Sequence, residues 1–143
     1  MSNLFTYGSL MFPAVWQQLV PERRPHRAAF LPHYSRRLIF LDTYPLIIPD
    51  ATSPGILGTL YSGLTAEDIK RLDWFEGELY QRINLEVRVK TGLIACETYV
   101  PKPAYSALAM QDSWRGDIFQ QIQMPIFLAR YCAKNLPTDT AAG

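Results

Sequence analysis

The chain has 143 residues, 48% of them apolar and 19% charged. That balance excludes a disordered or low-complexity chain and fits a single domain over residues 1–143 with a real core. Lys and Arg number 14 and Asp and Glu 13, a net charge of +1, which argues against a dedicated nucleic-acid binder. Cys96 and Cys132 are too few for a disulfide framework, and no Cys/His cluster has metal-ligand spacing. Both read as reduced core residues, and no metal is expected. No run of 18 or more apolar residues exists, and no basic residue precedes Arg23. The expectation is therefore a cytoplasmic protein with no membrane span and no membrane partner.

Along the chain, Asn3–Tyr7, Ala28–Phe40 (broken at Pro32) and Tyr44–Ile48 are strand candidates. Gly55–Tyr61 reads as a further strand whose glycines signal a bulge or a close backbone approach. Thr65 followed by Glu67 and Asp68 is a helix N-terminus. Ile69, Leu72 and Phe75 continue it as an apolar stripe, and Gly77 stands as terminator, predicting a short helix over Ala66–Phe75. The period then switches to two. Leu79, Ile83, Leu85, Val87 and Val89 point one way, with Gln81 as the interruption, and Tyr80, Arg82, Asn84, Glu86, Arg88 and Lys90 the other. Thr91-Gly92 marks a tight turn into a partner strand over Leu93–Val100. Ser113–Asn135 reads as a closing helix that Pro125 kinks or splits. Short strands, one short internal helix and a C-terminal helix predict an α+β domain on a curled, barrel-like sheet that removes its own edges.

The chain has no nucleophile elbow, phosphate-binding loop, dinucleotide fingerprint or zincin motif. His26 and His33 sit beside arginines with no local signature of a triad. Arg23, Arg24, Arg27, Arg36 and Arg37 lack aromatic interleaving and read as a charged surface, so no nucleic-acid partner is expected. Two segments remain. Phe5-Thr6-Tyr7-Gly8-Ser9-Leu10 is a strand entering a Gly-Ser turn, whose successive N–H groups can form a nest for a carboxylate or an oxyanion. In Leu72-Asp73-Trp74-Phe75-Glu76-Gly77, Glu76 falls in the last helical turn among aromatics. The helix dipole and desolvation there both disfavour its ionised form. A carboxyl so poised can take a proton and return it; the bland alternative is that Glu76 caps the helix or pairs with Arg82.

Together these segments resemble the gamma-glutamylcyclotransferase-like family, the avirulence-induced-gene-like group included. The resemblance rests on Tyr7-Gly8-Ser9-Leu10 and on Leu72-Asp73-Trp74-Phe75-Glu76-Gly77 followed by Tyr80-Gln81-Arg82. Tyr44-Pro45-Leu46-Ile47-Ile48-Pro49, Gly58-Thr59-Leu60-Tyr61 and Ala95-Cys96-Glu97-Thr98-Tyr99-Val100 also look like family segments, so that residues 3–101 follow the family's order. The turn is followed by Met11-Phe12-Pro13, where some members carry a Lys-Arg-Gly-like run. The resemblance implies a gamma-glutamyl substrate that closes on itself to give 5-oxoproline and a free amine or amino acid, without cofactor. It also implies Glu76 as the catalytic acid/base, substrate binding by the backbone of Tyr7, Gly8, Ser9 and Leu10, and Tyr99 lining the pocket. The chemistry is self-consistent. The substrate's own α-amine is the nucleophile, and ring closure carries the advantage of an intramolecular attack. A non-catalytic module holding a small metabolite in the same pocket is the alternative, and hydrolysis of the same amide is a third reading.

Overall fold

The computed structural model describes residues 1–38 and 45–103; the expected closing helix and Cys132 lie outside them. Five strands form a closed barrel in the order β1, β5, β2, β6, β7. They span Ser2–Thr6 (β1), His26–Leu31 (β2), Ile56–Leu64 (β5), Tyr80–Val89 (β6) and Gly92–Pro101 (β7). The pairings are antiparallel except between β1 and β7, which meet in parallel with Leu4 opposite Glu97. A separate two-stranded sheet joins β3 (Tyr34–Leu38) to β4 (Pro45–Pro49). The break expected at Pro32 is real: the chain turns there through His33, at φ 61°.

Strand alternation divides the apolar side chains between two clusters. On β1, Leu4 faces Val15, Trp16, Leu19, Leu64 and Leu72, whereas Phe5 faces into the barrel with Leu31, Ile47, Leu60, Val87 and Cys96. β5 repeats the pattern through register, because Leu4 stands opposite Tyr61 and Phe5 opposite Leu60. On β6 the expected inward side holds at Val87, which is fully buried. Tyr80 departs from the expectation. It opens the strand and is buried in the helix-side cluster, while Gln81 is exposed. Cys96 is a buried free thiol, pushed up to about 12 by desolvation, and so stays protonated.

The helices cover the Leu4 side. α1, Pro13–Leu19, is a seven-residue helix with proline at its start; sequence reading did not anticipate it. α2 runs Ala66–Glu76, one residue past the expected end. Its start is a capping box, in which Asp68 N–H donates to Thr65 Oγ1 (3.1 Å) and Thr65 N–H to Asp68 Oδ2 (3.0 Å). Gly77 closes it at φ 71°, a left-handed conformation that favours glycine. No helix among the described residues is long and apolar enough to cross a membrane.

Asp68 does more than cap. It is 1% exposed, and Arg24 Nε (2.9 Å) and Arg71 Nη2 (2.8 Å) both donate to it, while Arg71 Nε donates to the Leu19 carbonyl (2.6 Å). The cluster ties the end of α1 and the approach to β2 onto the start of α2. Burial pushes the Asp68 carboxyl up, but the Thr65 N–H and the Arg24 guanidinium outweigh it and hold it below the ordinary value. Its contribution is thus present above the unfolded carboxyl pKa and lost as pH falls through the depressed folded value. Asp68→Ala is expected to lower stability by about 3 kcal/mol at pH 7, through the abandoned arginines and the lost cap. Urea unfolding checks this, and the deficit should shrink in acid.

Candidate active site

The turn after β1 is a single 3₁₀ turn over Ser9–Met11, entered through Gly8. The bonds that close it are donated by Met11 N–H to the Gly8 carbonyl (3.0 Å) and by Phe12 N–H to the Ser9 carbonyl (3.1 Å). The N–H groups of Ser9 and Leu10 are not used in closing the turn, as expected of the first residues of any helical turn. Ser9 and Leu10 are themselves buried. Tyr7, just ahead of the turn, is buried too, and its hydroxyl donates to the Tyr99 carbonyl at 2.5 Å. One contact therefore fastens the turn to β7, across 92 residues of sequence.

Glu76 ends α2 beside these groups. Desolvation, and secondly the nearby Asp73 carboxylate, raise it to about 8. The direction and the leading cause, desolvation, match the sequence expectation, and Asp73 adds a cause that the sequence reading did not name. Burial raises the Tyr7 and Tyr99 phenols, with the Glu76 charge adding to each. Glu76 thus stands within electrostatic reach of both phenols. Tyr99 O–H also donates to Asp73 Oδ1 at 2.6 Å. The candidate residues from three separate segments therefore converge: Tyr7 and the following turn, Glu76, and Tyr99.

The alternative in which Glu76 pairs with Arg82 is not what the fold adopts. Arg82 donates through Nε and Nη2 to the two carboxylate oxygens of Asp73, at 3.0 and 3.1 Å, and through Nη1 to Glu97. Asp73 was visible in the sequence as part of the motif, but nothing local assigned it a partner nine residues ahead. The arginine cluster also needs correction. Arg23 and Arg27 are exposed, whereas Arg24 is committed to Asp68 and Arg37 to Asp50. Arg36 is sunk beside the barrel. Its Nη2 donates to the Leu57 carbonyl at 2.5 Å, and desolvation lowers its pKa, partly offset by Tyr7. A cleft of about 830 Å³ lined by Met11, Arg36, Arg37, Leu57 and Gly58, among others, lies on this side. Glu76 is not in its wall, so the titratable cluster, and not this cleft, marks the candidate site.

The sequence pattern of the family described as "Gamma-glutamyl cyclotransferase, AIG2-like" matches residues 4–116. The chain belongs to this family. AIG2-like protein C of Arabidopsis thaliana is 35% identical over 102 residues, covering 70% of this chain and 59% of that protein. The chain thus spans less than two thirds of the length of this AIG2-like relative. A solved Arabidopsis thaliana structure superposes with a TM-score of 0.66 at 22% identity, over 95% of both chains. A solved structure named gamma-glutamyl cyclotransferase gives 0.62 at 16% identity, over 99% of this chain and 92% of that one. These likenesses show the fold, the mixed α+β barrel of AIG2-like and gamma-glutamyl cyclotransferase proteins.

Proposed function

We propose that this AIG2-like chain is a cytoplasmic, cofactor-free gamma-glutamyl cyclotransferase-type enzyme. The observation that carries the reading is Glu76, a desolvated carboxyl raised to about 8 beside two buried phenols and a tight turn. In the proposed step Glu76 takes a proton from the substrate's α-ammonium, and the freed amine attacks the γ-carbonyl carbon. The new carbon–nitrogen bond closes the five-membered ring, and the N–H groups of Gly8, Ser9 and Leu10 meet the oxyanion. Glu76 then returns its proton to the departing nitrogen as the original amide bond breaks, and the ring nitrogen gives up its second proton to the freed amine or to solvent, giving 5-oxoproline and a free amine or amino acid. Single oxyanion donors are worth roughly 3–4 kcal/mol where they have been removed. Tyr7 and Tyr99, held above the ordinary phenol range, stay protonated, keep their hydroxyls on the Tyr99 carbonyl and Asp73, and serve as neutral walls.

This mechanism needs one proton shared between Glu76 and the substrate amine. Below about pH 8, Glu76 keeps its proton in the free enzyme, so kcat/KM should climb with unit slope toward that value. It should turn down where the substrate ammonium itself titrates. Mass spectrometry of 5-oxoproline from gamma-glutamyl dipeptides, gamma-glutamyl amines and glutathione tests the reaction, and the pH series tests the carboxyl. Folded protein that binds these compounds without forming product would move the assignment to a binding module. Solvent oxygen appearing in released glutamate would move it to hydrolysis.

A further inference from the structure

Asp73 takes no part in the proton transfers just described, yet three side-chain hydrogen bonds converge on it. Arg82 supplies two, at 3.0 and 3.1 Å, and Tyr99 O–H the third, at 2.6 Å. Arg82 and Tyr99 stand directly opposite one another on β6 and β7, so a single carboxylate seats the end of α2 on one rung of the barrel. Asp73 lies three residues before Glu76, on the same side of the helix. The Arg82 guanidinium, bound to this neighbour of Glu76, is occupied by Asp73 on one side and Glu97 on the other.

We infer that Asp73 is a positioning residue of this site, orienting the Tyr99 hydroxyl and keeping the Arg82 guanidinium from pairing with Glu76. An arginine paired with Glu76 would hold it ionised and remove its capacity to return a proton at neutral pH. The surroundings of Glu76 among the described residues are consistent with this role. Asp73 on its own helix acts on Glu76, and Glu76 acts on Tyr7 after β1 and Tyr99 on β7; one step further out, Arg82 on β6 is bound to Asp73 and to Glu97 on β7, and Arg36 on β3 lies beyond Tyr7. The Arg82 guanidinium is matched by two carboxylates, Asp73 and Glu97. The inference rests on the proposed reading only in taking Glu76 as the proton carrier.

The test is a direct titration of the Glu76 carboxyl by carbon-detected NMR in the wild type, Asp73→Asn and Arg82→Met. Both substitutions break the same partly exposed ion pair, so a purely structural role would move Glu76 the same way in each. The inference requires opposite movements. Asp73→Asn, which keeps an acceptor for Tyr99 but frees Arg82 and removes a negative charge, should lower the midpoint by roughly one pH unit. Arg82→Met, which leaves Asp73 uncompensated, should raise it. The acid limb of kcat/KM should follow the same order. Midpoints that stay together or move in one direction overturn the inference. Because the titration needs no turnover, opposite movements in a protein that forms no 5-oxoproline would keep this inference and discard the proposed reaction.

Discussion

Glu76→Gln should lower 5-oxoproline formation by roughly 10²- to 10⁴-fold, the range that a positioned acid/base supplies, while leaving a folded barrel. Glutamine keeps the shape and a hydrogen-bonding head but cannot carry the proton from the ammonium to the departing nitrogen. The same substitution makes a second, independent measurement possible. A carboxyl near 8 when folded and near its ordinary value when unfolded keeps its proton in the native state over a pH range where the unfolded chain has lost it. Below the unfolded pKa the group is neutral in both states and costs nothing. As pH rises toward 8 the native state is progressively penalised, at about 1.4 kcal/mol per pH unit in the limit of full desolvation. Glu76 retains partial exposure, so the realised penalty is a few kcal/mol at most. Glu76→Gln should therefore match the wild type at pH 4 and be the more stable protein at pH 9. Thermal melts at the two pH values decide it. Parallel pH dependence in the two proteins would refute the desolvated carboxyl, and undiminished turnover would refute its role.

Gly58→Ala should be the most damaging single-methyl change in the sheet. A Cβ there would lie 2.2 Å from the Thr6 carbonyl oxygen and 2.7 Å from the Phe5 ring. The nearer obstacle is backbone, which cannot rotate aside. The methyl must instead push β1 away from β5, where Phe5 and Thr6 pair with Leu60 and Thr59. Overpacking a formed core costs typically 1–3 kcal/mol and occasionally more, and this site belongs at the upper end. Thr6 is followed immediately by Tyr7 and the turn, so the fraction that still folds should also lose turnover. Denaturant unfolding and the activity of the folded fraction check both parts. A variant as stable and as active as the wild type would show that the barrel yields there.

Much of this was legible where the cause is local. The helix over α2 announced itself through Thr65, Asp68 and Gly77, and the β6–β7 hairpin through alternation and Thr91-Gly92. Of the two readings of the β5 glycines, the structure chooses close approach at Gly58, since the β2–β5 register runs through it unbroken. α1 escaped because seven residues give barely two turns of periodicity, and Pro13 reads equally well as a loop. The curled, barrel-like sheet was expected, but its strand order escaped, because pairing partners of β1 lie more than fifty residues away, beyond any pattern in a window. At the site, Glu76 and the Tyr7 turn could be picked out by residue type and by family likeness. The partner of Arg82 could not, since choosing among Asp73, Glu76 and Glu97 requires knowing which rung of the ladder faces the helix end.

The parallel meeting of β1 with β7 has a kinetic consequence. The bonds that hold the Tyr7 turn, from Tyr7 to the Tyr99 carbonyl and from Thr98 Oγ1 to the Phe5 carbonyl, join residues 92 and 93 positions apart. Contacts so remote in sequence form only after a large loop-closure entropy has been met, whereas hairpins such as β6–β7 need little. An intermediate with its hairpins formed but its first strand undocked would have much of its secondary structure and no assembled site. Recovery of Glu76's elevated titration during refolding should accordingly coincide with docking of the first strand and lag behind recovery of the sheet signal.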